Sequence, residues 1–142
     1  MHVALEILGI PTCHWFSVWI NMADVIMWYE AEEANYFPML GGPKPFGRTE
    51  FDQLLGNYGV ICDAPFITFA PKLIEAYPDA LVVLVERDIE TWYKSFNAYR
   101  KLHFNPFLQV ISNLDVGFLY QLSRTMGLVL RGYFGTSTKQ GL

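Results

Sequence analysis

The chain has 142 residues, 52% of them hydrophobic and 16% aromatic, which suits one compact domain with a sizeable core and excludes a disordered segment. Its formal net charge of −4 argues against a surface that neutralises a nucleic-acid backbone, although a local basic pocket can still hold a small anion. DNA and RNA are therefore not expected as partners. Cys13 and Cys62 stand far apart, without C-x-x-C or Cys/His spacing, so neither a disulfide framework nor a metal site is suggested. A reducing, cytoplasmic setting is the default.

Met1 leads into His2-Val3-Ala4-Leu5-Glu6-Ile7-Leu8 with no basic n-region, which reads as helix rather than secretory signal. Ala4, Leu5 and Leu8 have helical spacing, and Gly9-Ile10-Pro11 stops the pattern. The aromatic stretch 14–20 follows. The apolar run Phe16 to Tyr29 contains Asn21 and Asp24 and falls short of the roughly 20 residues that a spanning helix needs, so no membrane span is expected.

Residues 23–34 read as helix, with Asp24 near its start and Glu30, Glu32 and Glu33 on a solvated side. The segment FPMLGGPKPFG is a turn-rich loop. Thr49 is placed to cap a helix from Glu50 to Leu55, and Gly56-Asn57-Tyr58-Gly59 then turns the chain into a short buried strand, Val60-Ile61-Cys62. Asp63-Ala64-Pro65 closes that strand. Residues 66–76 resume a helical pattern in which Pro71 begins a helix or kinks one.

Leu81-Val82-Val83-Leu84-Val85 predicts a strand covered on both faces in a parallel sheet. Asp88 can cap the next helix, whose Ile89, Trp92, Phe96 and Tyr99 form a stripe expected to pack inward. After Asn105-Pro106 the chain is mostly helical, from Phe107 to Leu114 and from Val116 through Tyr133, and it ends in a polar fray, GTSTKQGL. The order strand, helix, strand, helix across 60–100 indicates α/β.

In open parallel sheets ligands bind beyond the carboxyl ends of strands, so Asp63 and Arg87 are expected to project to one edge. Arg87 offers a fork of donors, and the helix that follows adds backbone N–H groups and a positive dipole end, which together suit an anion. Ser95 borders the apolar stripe about two turns on, near the sheet, where it can share a phosphate with Arg87. The plain alternative is a surface ion pair for Arg87 and a packing seam for Ser95.

The segment LVVLVERDIETWYKSF resembles the part of sulfotransferases in which an arginine at a strand end and a serine eight residues later bind the 3′-phosphate of 3′-phosphoadenosine 5′-phosphosulfate. ALEILGI, PTCHWF, EFDQLLGNY, CDAP and IEAYPDALVVLVERD extend the resemblance, in family order, across about residues 3–100. It implies a three-layer P-loop-type parallel sheet flanked by helices, with a helical C-terminal part.

The resemblance also implies that Arg87 and Ser95 hold the nucleotide, that Asp63 is a base toward a small-molecule hydroxyl or amine acceptor, and that His14 faces that acceptor. Asp63 has a competing role as a helix cap, and His14 one as a packed core residue. No metal is implied. No G-x-G-x-x-G follows a predicted strand, so a dinucleotide-binding dehydrogenase or epimerase is not read.

Family members place a P-loop-like G-x-x-R-T-G-T-x-S-L before the ALEILG helix and a GW-x-P-L-C-x-F-L segment after the part seen here. The expectation is therefore a domain truncated at both ends, with the 3′-phosphate clamp retained and the loop that positions the sulfuryl group missing. A shortened sheet would leave an edge open to homo-oligomerisation. The competing class is a non-catalytic nucleotide-binding or interaction module.

Overall fold

Gly9 adopts φ +74°, and the left-handed turn it makes ends α1 (His2–Ile7), with the Ile10 N–H reaching back to the Leu5 carbonyl at 3.1 Å. The computed structural model describes residues 2–115 and 117–135; the predicted start at Val116 and the tail beyond Gly135 lie outside them. After α1 come β1 (Thr12–Cys13), α2 (Trp15–Trp19), α3 (Met22–Tyr36), α4 (Arg48–Leu55) and β2 (Val60–Ile61). A 3-10 turn at Phe66–Phe69 leads into α5 (Ala70–Ala76), where Pro71 opens the helix rather than kinking it. The remaining elements are α6 (Ile89–His103), α7 (Pro106–Leu114) and α8 (Phe118–Gly132).

β1 lies parallel to β2, with Thr12 opposite Val60 and Cys13 opposite Ile61. The described residues thus form a mostly helical structure around one short parallel pair, an incomplete α/β arrangement. One apolar cluster surrounds Trp28 of α3, which meets Phe66 edge-on at 5.2 Å and Phe69 at 5.5 Å. A second joins Trp15 to Met126, Val129 and Leu130 of α8.

Four local expectations are corrected. Leu81–Val85 is neither strand nor core: its residues are 66% to 95% exposed. A strand buried on both faces needs a ladder partner and covering helices, and the two-stranded sheet supplies neither to this run. β-Propensity alone does not pair a segment. The α6 stripe is likewise only partly inward, with Ile89 exposed and Trp92 and Phe96 turned toward α8 and Phe134.

Gly47, not Thr49, caps α4, its N–H donating to the Glu50 carboxylate at 2.9 Å. Glu32 is fully buried rather than solvated, while Glu30 is exposed and Glu33 half-buried. Helical geometry explains this, because Glu32 follows Val25 by seven residues and Trp28 by four, and so shares their buried face.

α3 and α8 pack closely at their ends. A Cβ added at Gly132 would lie 2.5 Å from Cγ of Tyr36, whose hydroxyl donates to the Thr68 carbonyl at 2.8 Å and so fixes the ring. Gly132→Ala is expected to cost about 1–3 kcal/mol by overpacking, which a lowered urea midpoint at unchanged slope would show.

Candidate functional site

Two parallel strands in register deliver the residues that follow them to one edge, here His14 after β1 and Asp63 after β2. The Cys62 N–H donates to the Cys13 carbonyl at 3.0 Å and extends the ladder toward that edge. Asp63 then takes φ +77°, a left-handed conformation that a non-glycine residue holds at a cost of about 1–2 kcal/mol. This turn aims its carboxylate at His14, with Oδ2 lying 3.4 Å from Nε2.

Nδ1 of His14 accepts from the Phe16 N–H at 3.4 Å and caps α2, while Nε2 lies on the side of Asp63. The imidazole is stacked between His2 at 4.9 Å and Phe16 at 5.5 Å. The Asp63 side chain does not cap the following helical turn; only its backbone carbonyl bonds into that turn, accepting from the Ile67 N–H.

Asp63 lines a cleft of about 550 Å³ whose walls include Trp15, Trp92, Phe96, Tyr99 and Phe134. His14 is not among the lining residues; it stands behind the carboxylate. The Tyr99 phenol is pushed up to about 12 by burial and by the charge of Asp63, so it remains a hydrogen-bond donor at neutral pH. Burial pushes the Cys13 thiol up to about 11, which removes thiolate chemistry from this edge. Among the described residues no cluster of His, Cys, Asp and Glu is suited to hold a metal.

α6 joins this cleft to the second pair. Trp92, Phe96 and Tyr99 face the cleft, while Ser95 lies beside Arg87, whose Nη2 donates to Ser95 Oγ at 3.4 Å. The Ser95 hydroxyl donates to the Thr91 carbonyl at 3.2 Å. Asp88 caps the helix, accepting from the Thr91 N–H at 2.8 Å and from its hydroxyl at 2.6 Å, and these bonds hold its carboxyl below the ordinary carboxylate range. Asp88 is committed to the cap, the Arg87 charge adds to the lowering of its carboxyl, and among the described residues no carboxylate oxygen lies within ion-pair distance of Arg87.

The model of a sulfotransferase domain matches residues 1–141. The chain belongs to the sulfotransferase-domain family. Ava biosynthesis cluster protein M of Aspergillus versicolor is 34% identical over 112 residues, covering 79% of this chain and 39% of that protein. The chain thus spans about two fifths of that curated relative's length. No solved structure matches it.

In this sulfotransferase-domain chain the structure brings together Arg87 with Ser95 and His14 with Asp63. It does not bring Asp63 and Arg87 to one sheet edge, because no strand precedes Arg87. Ser95 is exposed to solvent rather than set near the sheet. Tyr99 was legible only as a member of an apolar stripe; its hydroxyl, in a row otherwise of Ile, Trp and Phe, was the available signal for a polar group in the cleft.

Proposed function

We propose that this sulfotransferase-domain chain takes part in sulfuryl transfer from 3′-phosphoadenosine 5′-phosphosulfate to a hydroxyl or amine of a small acceptor. The observation that carries the reading is the solvent-facing pair of Arg87, just before α6, and Ser95, in its second turn; among the described residues no carboxylate lies within ion-pair distance of Arg87. Arg87 presents donors in a planar fork, and Ser95 can turn its hydroxyl from Thr91 to a phosphate oxygen. These groups fit a 3′-phosphate. The cosubstrate supplies the sulfuryl group when bound.

Asp63 is the proton acceptor in this reading. Nδ1 of His14 is committed to the α2 cap and its Nε2 stands 3.4 Å from Asp63 Oδ2, so the imidazole flanks one carboxylate oxygen and the other is left for the acceptor's proton. Trp92, Phe96 and Phe134 would take an apolar acceptor and exclude water, with Tyr99 donating to its polar group. We read the two-stranded pair as part of a three-layer P-loop-type sheet in the whole protein.

Calorimetric titration of the chain with 3′,5′-adenosine diphosphate tests the clamp: saturable binding is expected, and its absence overturns the reading. In a transfer assay on the longer protein, Asp63→Asn is expected to lower the rate about 10²–10⁴-fold with nucleotide affinity retained. A non-catalytic nucleotide-binding module is the second reading, favoured by the exposure of Leu81–Val85. It predicts nucleotide binding with no turnover in parent or variant.

A further inference from the structure

We infer that a second cleft, between α3, α7, α8 and the end of α6, binds a small aromatic carboxylate through Arg124 and Arg131. The cleft measures about 300 Å³, at the small end for ligand pockets and suited to a single-ring molecule. Two arginines and no Asp or Glu line it, along with Tyr29, His103 and Tyr120. In a chain of net charge −4, two guanidiniums facing one recess without a carboxylate mark a local anion site.

Arg124 is held in place by rings rather than by acids. Its guanidinium carbon sits 4.3 Å from the Tyr29 ring centroid and 5.3 Å from that of Tyr120, and it donates to the Tyr29 hydroxyl oxygen. Glu33 accepts from the Tyr29 hydroxyl at 3.4 Å, and among the described residues no acid forms an ion pair with the guanidinium. Among the described residues the remaining Arg124 donors have no hydrogen-bond acceptor.

Arg131 follows Arg124 by seven residues, two helical turns, and so shares its face of α8. Among the described residues it has neither a hydrogen-bond acceptor nor an ion pair. Between the two lies Gly127, where an added Cβ would meet nothing closer than His103 Nε2 at 3.8 Å. The missing side chain leaves an open floor between the cations. Burial and the Arg131 charge hold the His103 imidazole below its ordinary value, so it adds a polar wall rather than a third cation at neutral pH.

Planar forks favour a carboxylate, and the ring-lined walls favour an aromatic frame over a bare inorganic anion. The opposite face of α8 supplies Met126, Val129 and Leu130 to the Asp63 cleft, and the two clefts share no lining residue. This site is therefore separate from the proposed acceptor cleft.

The test is calorimetric titration of the 142-residue chain with 4-hydroxybenzoate, the neutral 4-hydroxybenzamide and inorganic sulfate. Benzoate is expected to bind saturably, at least about tenfold more tightly than the amide or sulfate. Arg124→Ala and Arg131→Ala are each expected to weaken it about tenfold or more, and Asp63→Asn to leave it unchanged. Gly127→Ala, which meets no close atom and favours helix, is expected to weaken binding with the melting temperature kept or raised. Equal binding of the amide, equal binding of sulfate, undiminished binding in Arg131→Ala, or loss in Asp63→Asn would each overturn the assignment.

Discussion

Replacing Glu32 with glutamine is expected to stabilise the fold by about 3 kcal/mol at pH 8 and to leave it nearly unchanged at pH 4. Glu32 is fully buried on α3, and burial pushes its carboxyl up from 4.5 to about 7, against a smaller opposing contribution from the Thr68 hydrogen bond. Thr68 Oγ1 lies 2.6 Å from Glu32 Oε1 and 2.5 Å from the Pro65 carbonyl oxygen. A hydroxyl carries one proton and cannot donate to both. The neutral acid resolves the conflict, donating its own proton to Thr68, which then donates to Pro65.

Because the folded-state value is raised, the native chain binds more protons than the unfolded chain between pH 4.5 and about 7. Stability is therefore fully present below the unfolded value and is lost as pH rises toward the folded one. At 1.36 kcal/mol per pH unit the gap amounts to about 3 kcal/mol, the cost of ionising a buried carboxyl whose other oxygen, Oε2, has no partner. Glutamine donates from its amide as the neutral acid does and never ionises.

Urea midpoints for the two chains should accordingly coincide near pH 4 and separate by pH 8. His103, whose value is lowered, slopes the opposite way below about pH 6.5, so the difference between the chains isolates Glu32. Parallel profiles across the whole range would show that the Glu32 carboxyl titrates in the fold as it does in the unfolded chain, and would overturn the raised value.

Arg87→Ala is expected to weaken binding of 3′,5′-adenosine diphosphate about 100-fold, with a fold stability change within about 0.5 kcal/mol because the side chain is exposed. Arg87→Lys keeps the charge but loses the fork, so it should recover only part of the affinity. Ser95→Ala removes one hydroxyl and should cost about tenfold. Added salt should weaken the parent more than Arg87→Ala, since one screened cation is gone. Calorimetry at two ionic strengths checks all four expectations, and an unchanged affinity in Arg87→Ala removes the clamp.

The features legible in the sequence are those set by neighbouring residues. Gly9 closes α1 and Asp88 caps α6, because each depends on backbone groups within four positions. The approach of Arg87 to Ser95 has the same origin, with two helical turns bringing together residues eight apart. β1 escaped notice because two residues after a Gly-Ile-Pro stop carry no periodicity, and only pairing with Val60–Ile61 makes them a strand.

The failure at Leu81–Val85 is the converse: a strong local preference with no partner to complete it. The placement of Glu32 was available from helical spacing but was hidden by its acidic neighbours, Glu30 and Glu33. The contact between His14 and Asp63 joins positions 49 residues apart and needed the parallel register to appear.

The bare apolar run at 81–85 also bears on how the chain behaves in company. Five branched aliphatic residues with no charge and no proline are the composition that seeds cross-β stacking between molecules. Asp79 stands before the run and Glu86, Arg87 and Asp88 close it, the placement of gatekeepers that repel or fail to fit when like ribbons align. The charged corner read above as a ligand clamp thus also stands where gatekeepers stand, beside a ribbon whose composition favours stacking on the next copy.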